Sequence, residues 1–308
     1  MHIITIGGAT IDIVVSGSRL STISGNKQEV ESITMGIGGG AVNASLAFQA
    51  CDANVRIVCA LGCDTESLWL RTALQRESID LSLIQSVADQ PTGKSVVFLD
   101  GSEAHVFAQR GASTHVAPAR VVDAAGCTDL LYVTALSPAA ELEFSTALQY
   151  RSSHFPLIAI NPGMRQLATA SSAGEYLLSQ ANLICFNEAE ARMLAAKLGG
   201  QIPSDILKDG APWMNDIRLH SSQAMLVTLG SKGALFHDGY EIHFMPAEHV
   251  SVESTLGAGD AFGATLAFYW AKGYPATAAL DAARAYCAKV LQTITANLAG
   301  SKHTDLQS

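Results

Sequence analysis

The sequence predicts an α/β protein built around a mostly parallel sheet, and two observations carry that prediction. Short runs rich in β-branched and other apolar residues alternate with longer segments of helical period, the signature of βαβ units. Across 308 residues, 48% of them hydrophobic and 15% charged, no Pro/Ser-rich linker or block of like charge marks a cut. A single domain spanning residues 1–308 is therefore expected.

In chain order, the candidate buried strands are Ile3–Ile6, Val55–Ala60, Leu130–Val133, Leu157–Asn161, Leu183–Phe186 and Met225–Leu229. Among them lie Ala41–Ala50, Ser67–Glu77, Glu141–Tyr150 and Ala189–Leu198, rich in Ala and Leu with apolar residues three and four apart, which predicts helices. Two segments break this rhythm, Ile11–Met35 and Ser95–Ala108, and both read as antiparallel and peripheral. In the second, Ser95–Leu99 and Ala104–Ala108 flank a hairpin turn at Asp100 and Gly101. A small accessory lid and two surface hairpins without a task are equally compatible with these residues. Ala234–Phe236 and Tyr240–Phe244 flank a further hairpin, and Ala258–Trp270 and Thr277–Leu298 close the chain as two Ala-rich helices.

Composition excludes several function classes. With 19 Lys and Arg against 28 Asp and Glu, the formal charge is −9, and no clustered cations offer a phosphate-backbone footprint, so nucleic acid is not an expected partner. No apolar run is long enough to cross a bilayer, which excludes a membrane partner. Met1–Gly8 reads as a strand meeting a glycine turn, with no basic leader or cleavage site, and a cytoplasmic protein is expected. The cysteines at 51, 59, 63, 127, 185 and 287 form no C-x-x-C pair and read as reduced core residues. The histidines show no spaced metal set.

The candidate chemistry lies in glycine-rich turns. Gly257, Ala258, Gly259 and Asp260 immediately precede a strongly helical stretch. Small residues at a helix start let backbone N–H groups approach an anion, and the helix dipole adds partial positive charge. A carboxylate in that turn would repel a bound phosphate. Asp260 makes sense there when it faces a neutral hydroxyl and takes its proton as phosphate arrives. An Asp in a first helical turn also simply stabilises the dipole, and the turn alone leaves both readings open. A second cluster, Gly38–Gly40, opens another helix with Asn43 one turn inside; an amide both donates and accepts and could hold sugar hydroxyls. Asp12 follows the first strand, where open α/β sheets bind ligands. Asn187 and Glu190 follow the apolar run Leu183–Phe186, where a carboxylate could hold hydrated Mg²⁺ or serve as ordinary N-terminal helix charge. Thr228, Gly230 and Gly233 sit where a strand runs into a glycine turn that could face nucleotide phosphates.

Together, these segments resemble in order and spacing the ribokinase-like (phosphofructokinase B type) family of carbohydrate and nucleoside kinases, from Met1 to about Ala299. Gly38, Gly39 and Asn43 match its Gly-Gly-x-x-x-Asn, Asn187 and Glu190 its Asn-x-x-Glu, and Gly257 to Asp260 its Gly-Ala-Gly-Asp. The resemblance implies a three-layer α/β/α sandwich with a small β-sheet lid formed by about 11–36 and 92–110. It implies a phosphotransferase that uses MgATP on a hydroxyl of a sugar, sugar acid or nucleoside. Asp260 would be the base, with Gly257, Ala258 and Gly259 at the transferring phosphate. Asp12, Gly38, Gly39 and Asn43 would touch the acceptor, Asn187, Thr228, Gly230 and Gly233 the ATP, and Glu190 the metal. A homodimer through the lid is also implied.

The chain departs from the family pattern in three places. Ser254 and Thr255 replace the family's Asp-Thr, and a neutral Ser there weakens the case for a monovalent cation unless Glu253, one place earlier, or backbone carbonyls compensate. Ser67 replaces the last glycine of Gly-x-Asp-x-x-Gly, after Gly62 and Asp64, and Gly40 stands where ribokinase has Lys, so ribose is not the expected substrate. Arg110, after the second lid strand, could read a carboxylate or phosphate on a sugar derivative, close the lid by an ion pair, or stand as a solvated surface arginine. Asn161, Pro162 and Gly163 read as a strand-end turn. A nucleoside kinase of the adenosine or pseudouridine type would need an aromatic wall, for which Phe98 and Phe107 are the candidates. A non-catalytic sugar- or nucleotide-binding protein is the remaining alternative, against which the retained Asp260 argues, since binding requires no base.

Overall fold

The computed structural model describes residues 1–17, 29–100, 103–121, 125–150, 155–169 and 171–299. The expected lid segments thus lie partly outside the described residues, at 18–28 and 101–102. The chain opens with β1 (His2–Ile6), then β2 (Thr10–Ser16), β3 (Ser32–Gly38) and helix α1 (Gly40–Ala50). Next come β4 (Asn54–Val58), β5 (Ala60–Leu61), α2 (Thr65–Arg76), β6 (Gln85–Ser86), β7 (Gly93–Asp100) and β8 (Glu103–Gln109). The middle of the chain supplies β9 (Leu130–Thr134), α3 (Pro138–Gln149), β10 (Leu157–Asn161), α4 (Met164–Thr169) and α5 (Ser172–Gln180). After β11 (Leu183–Asn187), α6 (Glu188–Lys197) and α7 (Trp213–Ile217) come β12 (Ala224–Thr228), β13 (Ala234–His237) and β14 (Ile242–Met245). Helices α8 (Ala258–Ala271) and α9 (Ala276–Leu291) follow.

Eight strands form the central sheet in the order β4, β1, β9, β10, β11, β12, β13, β14. All pair in parallel through β12, and the β13–β14 hairpin adds an antiparallel edge. Alternate side chains enter two separate cores, because successive residues of a strand face opposite ways. Ile3, Leu130, Leu183 and Leu226 pack with Phe48 of α1, Leu70 of α2, Phe262 of α8 and Leu280 of α9. Ile4, Leu131, Ile184 and Val227 pack on the other face with Phe144 of α3, Leu177 of α5, Leu194 of α6 and Met214 of α7. The result is the expected α/β/α sandwich. Among the described residues no helix is long and apolar enough to cross a membrane.

A separate four-stranded sheet runs in the order β3, β2, β7, β8. The sequence suggested antiparallel pairing throughout. The hairpins β2–β3 and β7–β8 are antiparallel, but β2 pairs with β7 in parallel. The reason is the connection: the chain leaves the lid for α1, β4 and α2 before β7 returns, and so long a crossover lets a strand re-enter in the same direction. Two further boundaries differ from expectation. The run Val55–Ala60 breaks at Cys59, and β5 pairs with β6 in a small sheet of its own. The closing helix ends at Leu291, short of Leu298.

That last difference follows from side chains that compete with the helix for hydrogen bonds. Thr293 Oγ1 lies 2.8 Å from both Val290 O and Thr295 O, sharing its one proton between them, and Thr295 Oγ1 donates to Asn297 O. The chain turns back, and buried Asn297 donates through Nδ2 to Ile37 O at 2.7 Å and to Asn43 Oδ1 at 2.9 Å. Asn297→Ala strips two buried acceptors of their donor. We expect a loss of about 1–3 kcal/mol, read as a lower urea midpoint with an unchanged slope.

Candidate functional site

The switch in strand order between β1 and β9 opens a crevice at the carboxyl ends of the strands, the place where open α/β sheets bind ligands. A cleft of about 360 Å³ occupies it. Strand ends form its floor, with Gly8 after β1, Thr134 of β9, Asn161 of β10, Asn187 of β11 and Thr228 of β12. Three helix N-termini meet there through Gly39 and Gly40, Asn187 and Glu190, and Gly257, Gly259 and Asp260, while Ala108, Gln109 and Arg110 close the lid side. Of the expected site residues, Gly39, Arg110, Asn187, Glu190, Thr228, Gly257, Gly259 and Asp260 line this one cleft. Asp12, Gly38, Asn43, Ala258, Gly230 and Gly233 do not.

Asp260 lies in the first turn of α8 at the bottom of the cleft. Asn43 Nδ2 donates to its Oδ2 and Asn161 Nδ2 to its Oδ1, both at 3.0 Å. Burial raises the Asp260 carboxyl from 3.8 to about 6; the charge of Asp12 adds to the rise, and the two amides oppose it. A carboxylate so poised is a competent base near neutral pH. Asn43 is buried and oriented by Asn297, whose donation to Oδ1 leaves the Asn43 Nδ2 group facing Asp260. Its amide is therefore spent on Asp260 and does not line the cleft, whereas the sequence suggested contact with acceptor hydroxyls. Asn161 read as a turn residue; the signal available was an amide at the end of a β-strand in the layer that binds ligands. Gly263, one turn beyond Asp260, leaves room for the buried hydroxyl of Tyr132, since a Cβ there would lie 2.7 Å from it.

The glycines divide by what surrounds them. Gly257 caps α8 with φ 69°, and a Cβ would strike Ala296 O at 2.0 Å. Gly259 faces open space in the cleft. Bare N–H groups at the start of α8 therefore look into the cleft without side-chain cover, since the first N–H groups of a helix lack intrahelical partners. Gly39 caps α1 at φ 91°, where a Cβ would come 2.6 Å from Gly8 O. Gly38 packs on Asp12, with room for no Cβ beside Oδ2. Asp12 Oδ1 accepts from Thr10 Oγ1 at 2.8 Å and Ser95 Oγ at 2.6 Å, which fixes the carboxylate at the lid hinge next to the cleft.

On the far side of the base, Asn187 and Glu190 form a capping box for α6. Glu190 N donates to Asn187 Oδ1 and Asn187 N to Glu190 Oε2, both at 2.9 Å. The Asn-x-x-Glu spacing is thus a helix start as well as a cleft wall. Burial raises the Glu190 carboxyl, its Asn187 bond opposes this, and the Asp260 charge adds to it. Thr228 stands opposite Asn187 on β12. Gly233, at φ 111°, is a turn pressed against the β14 strand, where a Cβ would meet Met245 O at 2.0 Å; Gly230 faces open space.

The remaining expectations resolve as follows. Arg110 is exposed at the end of β8, and its side chain has no ion-pair partner among the described residues, so the lid-closing ion pair is not formed. Phe98 and Phe107 meet edge to face at 5.8 Å, and neither lines the cleft, where the aromatic residue among the described lining is Phe186. Buried Ser67 donates through Oγ to Asp64 O, and Asp64 caps α2 while accepting from Thr92 N at 2.7 Å, which ties α2 to the start of β7. Buried Ser254 accepts from Leu256 N through Oγ, and Glu253 is exposed. Cys59 and Cys185 are core residues as expected. Cys63 and Cys127 are exposed instead, in the turns that precede α2 and β9. Cys185 lines the cleft, but burial pushes its thiol up to about 12, which removes it as a nucleophile. His243 approaches Asp238 and Glu241 at the β13–β14 hairpin, where Asp238 already accepts from Tyr240 N and Glu241 N as a turn residue.

The profile of the pfkB family carbohydrate kinases matches residues 2–302. Ribokinase of Mus musculus is 27% identical over 280 residues, covering 87% of this chain and 81% of that protein. Deoxyribokinase of Salmonella typhi is 23% identical over 296 residues, covering 94% and 92%. Ribokinase from Cryptococcus neoformans var. grubii serotype A in complex with ADP superposes with a TM-score of 0.76 at 21% identity, over 98% of this chain and 99% of that one. Burkholderia thailandensis nucleoside kinase in complex with inosine gives 0.76 at 18% identity, over 96% and 93%. These structures share the fold, a large mixed sheet between helices with a separate small sheet.

The raised Asp260 carboxyl sets a pH dependence of stability. The folded chain holds this proton more tightly than the unfolded chain, so ionising it opposes folding. The cost is absent below the unfolded value of 3.8, grows as pH rises and is complete above about 6. Asp260→Asn removes this term. Between pH 4 and pH 7 the variant should gain up to about 3 kcal/mol relative to wild type in paired denaturant titrations.

Proposed function

This chain belongs to the pfkB family of carbohydrate kinases, phosphotransferases with an alcohol acceptor, and we propose that it phosphorylates a hydroxyl of a sugar or sugar derivative with Asp260 as general base. One observation carries the reading. Asp260 is held by two amides, with its carboxyl raised towards neutrality, beside the open N-terminal turn of α8. A binding protein needs no such group.

The acceptor hydroxyl lies against Asp260, which takes its proton as the bond to phosphorus forms and the bond from phosphorus to the leaving ADP oxygen breaks. Backbone N–H groups at Gly257–Gly259 and the dipole of α8 receive the charge on the transferring phosphoryl group. Asp12, Gly38 and Gly39 border the acceptor side, and Asn43 acts by holding the base. ATP lies towards Asn187, Thr228, Gly230 and Gly233. The residues present fit Mg²⁺: Glu190 offers a buried hard-oxygen donor in the cleft, and the metal would offset the repulsion between Glu190 and Asp260 while neutralising phosphate charge. They do not fit a monovalent-cation site at Ser254, which carries no charge and whose Oγ already accepts from Leu256 N. A cytoplasmic location accompanies this reading, since the reaction draws on ATP.

A nucleoside acceptor is the weaker reading, because Phe98 and Phe107 lie outside the cleft. They belong to the lid face that also carries Ile13, Val15 and Val96, with Ile33, Met35 and Phe107 exposed at 67%, 54% and 66%. So continuous an apolar face supports a homodimer through the lid.

Asp260→Asn should bind ATP and lose turnover by about 10²-fold or more, as general-base losses run. Wild-type kcat/KM should fall below about pH 6, where Asp260 takes up its proton. Unchanged turnover in the variant, measured as ADP release, sinks the assignment. For the dimer, light scattering should show wild type at twice the mass of a Phe107→Glu variant; a monomeric wild type at micromolar concentration rules it out.

A further inference from the structure

Behind the wall of the cleft lies a hydroxyl that the reaction as described does not use. Tyr132 of β9 is fully buried, and its phenolic oxygen has no hydrogen-bond partner among the described residues. A buried polar atom left unpaired costs free energy that a phenylalanine of the same shape would not, so its presence calls for a reason. The surroundings supply one. Tyr132 pairs with Ala159 of β10, and Asn161, two positions further along that strand, leaves it on the same face. The ring stands edge to face against Phe48 of α1, with centroids 5.2 Å apart. The hydroxyl ends at α8, where a Cβ on Gly263 would lie 2.7 Å from it and 3.5 Å from Cys185 Sγ. Gly263 comes three residues after Asp260 and so shares its side of the helix. The Asn161 amide and the Cys185 thiol are the hydroxyl's polar neighbours.

We propose that Tyr132 is a positioning residue for the base: its oxygen takes the second N–H of Asn161, whose other N–H holds Asp260, and so keeps that amide from turning over. This rests on the reading of Asp260 as general base and adds the group that orients its second amide. An amide nitrogen carries two hydrogens and its oxygen none. Asn43 is already fixed, because Asn297 donates to its Oδ1. Asn161 Nδ2 donates to Asp260 Oδ1 at 3.0 Å, and while Asp260 is ionised its charge keeps the nitrogen turned towards it. Once Asp260 holds a proton that attraction is lost. An amide turned over would then offer its oxygen to the carboxylic acid and stabilise the protonated state. Holding the other N–H opposes this turn, so the base gives up its proton readily and is restored for the next cycle. Gly263, without a side chain, leaves the hydroxyl room to approach the amide, and the Tyr132 proton faces Cys185 Sγ. Burial, with the charges of Cys185 and Asp260 adding to it, holds the phenol well above its usual range, so it stays protonated. The other ionisable groups that act on Asp260 are Asp12 of β2 and Glu190 of α6, and both stay in place in the variants below.

Tyr132→Phe keeps the ring and removes only the hydroxyl. Urea titrations of wild type, Tyr132→Phe, Asp260→Asn and the double variant between pH 4 and pH 7 need no substrate and report the ionisation of Asp260. Without the hydroxyl, the folded pKa of Asp260 should rise from about 6 towards about 7. Ionising it then opposes folding more strongly, so Tyr132→Phe should match or exceed wild type at pH 4 and lose ground steadily up to pH 7. In the Asp260→Asn background the same substitution should give a difference that does not change with pH. ADP release at saturating MgATP, with the best acceptor from a panel of ribose, deoxyribose, fructose and sugar acids, supplies the second arm. There Tyr132→Phe should lower kcat about three- to tenfold with KM unmoved. Gly263→Ala, which drives a methyl group onto the hydroxyl, should reproduce that loss in wild type and add little to Tyr132→Phe. A Tyr132→Phe difference that is flat with pH, or one that varies with pH in the Asp260→Asn background as well, overturns the proposal. A urea midpoint below wild type at pH 4 overturns it too, by making the hydroxyl an ordinary structural partner, as does a kinetic change confined to KM. If no acceptor releases ADP, the kinase reading has failed, while the urea comparison still decides whether Tyr132 acts on Asp260.

Discussion

A half-buried carboxylate held by two amides at the start of a helix is the constraint on which the rest of the site depends. Asp260 must stay ionisable at the bottom of a cleft, beside N–H groups that would otherwise favour its charged form permanently. Burial and the Asp12 charge push its carboxyl up, Asn43 and Asn161 pull it down, and the balance falls near 6. Neither amide is free to turn at will. Asn43 is pinned by Asn297, which reaches back from the segment beyond α9 to bond Ile37 as well. The geometry of Asp260 therefore depends on contacts between residues separated by most of the chain.

The architecture supplies the second condition, convergence. Parallel strands send all their carboxyl ends to one edge of the sheet, and the helices that follow them begin there. Three glycine or Asn-capped helix starts thus meet in one cleft without further design. Glycine is required at Gly39 and Gly257 because the backbone takes positive φ against a carbonyl of another segment. At Gly259 no protein atom occupies the space a side chain would take, and that space faces the cleft. The same turn thus combines one glycine set by protein packing with one set by access to the cleft.

The lid's end strand, β8, brings Arg110 to the lining of the same cleft as Asp260 and Glu190. The face of the lid that carries Ile33, Met35 and Phe107 is apolar, since alternate residues of its strands face opposite ways.

By itself the sequence determined a mostly parallel α/β sheet, its strand runs, and the glycine turns with Asp260 and the Asn187–Glu190 pair, because these are local. Strand composition, helix period and turn residues are set by neighbours a few positions apart. What was not legible depended on distant pairing. Nothing near Asn161 marks it as a support for Asp260, and nothing near Asn297 marks it as the anchor of Asn43. Phe98 and Phe107 read as a possible wall because sequence alternation gives two faces without saying which one meets the cleft. Only the folded chain decides that, since register, crossover and the return of the final segment are fixed by packing between parts far apart in sequence.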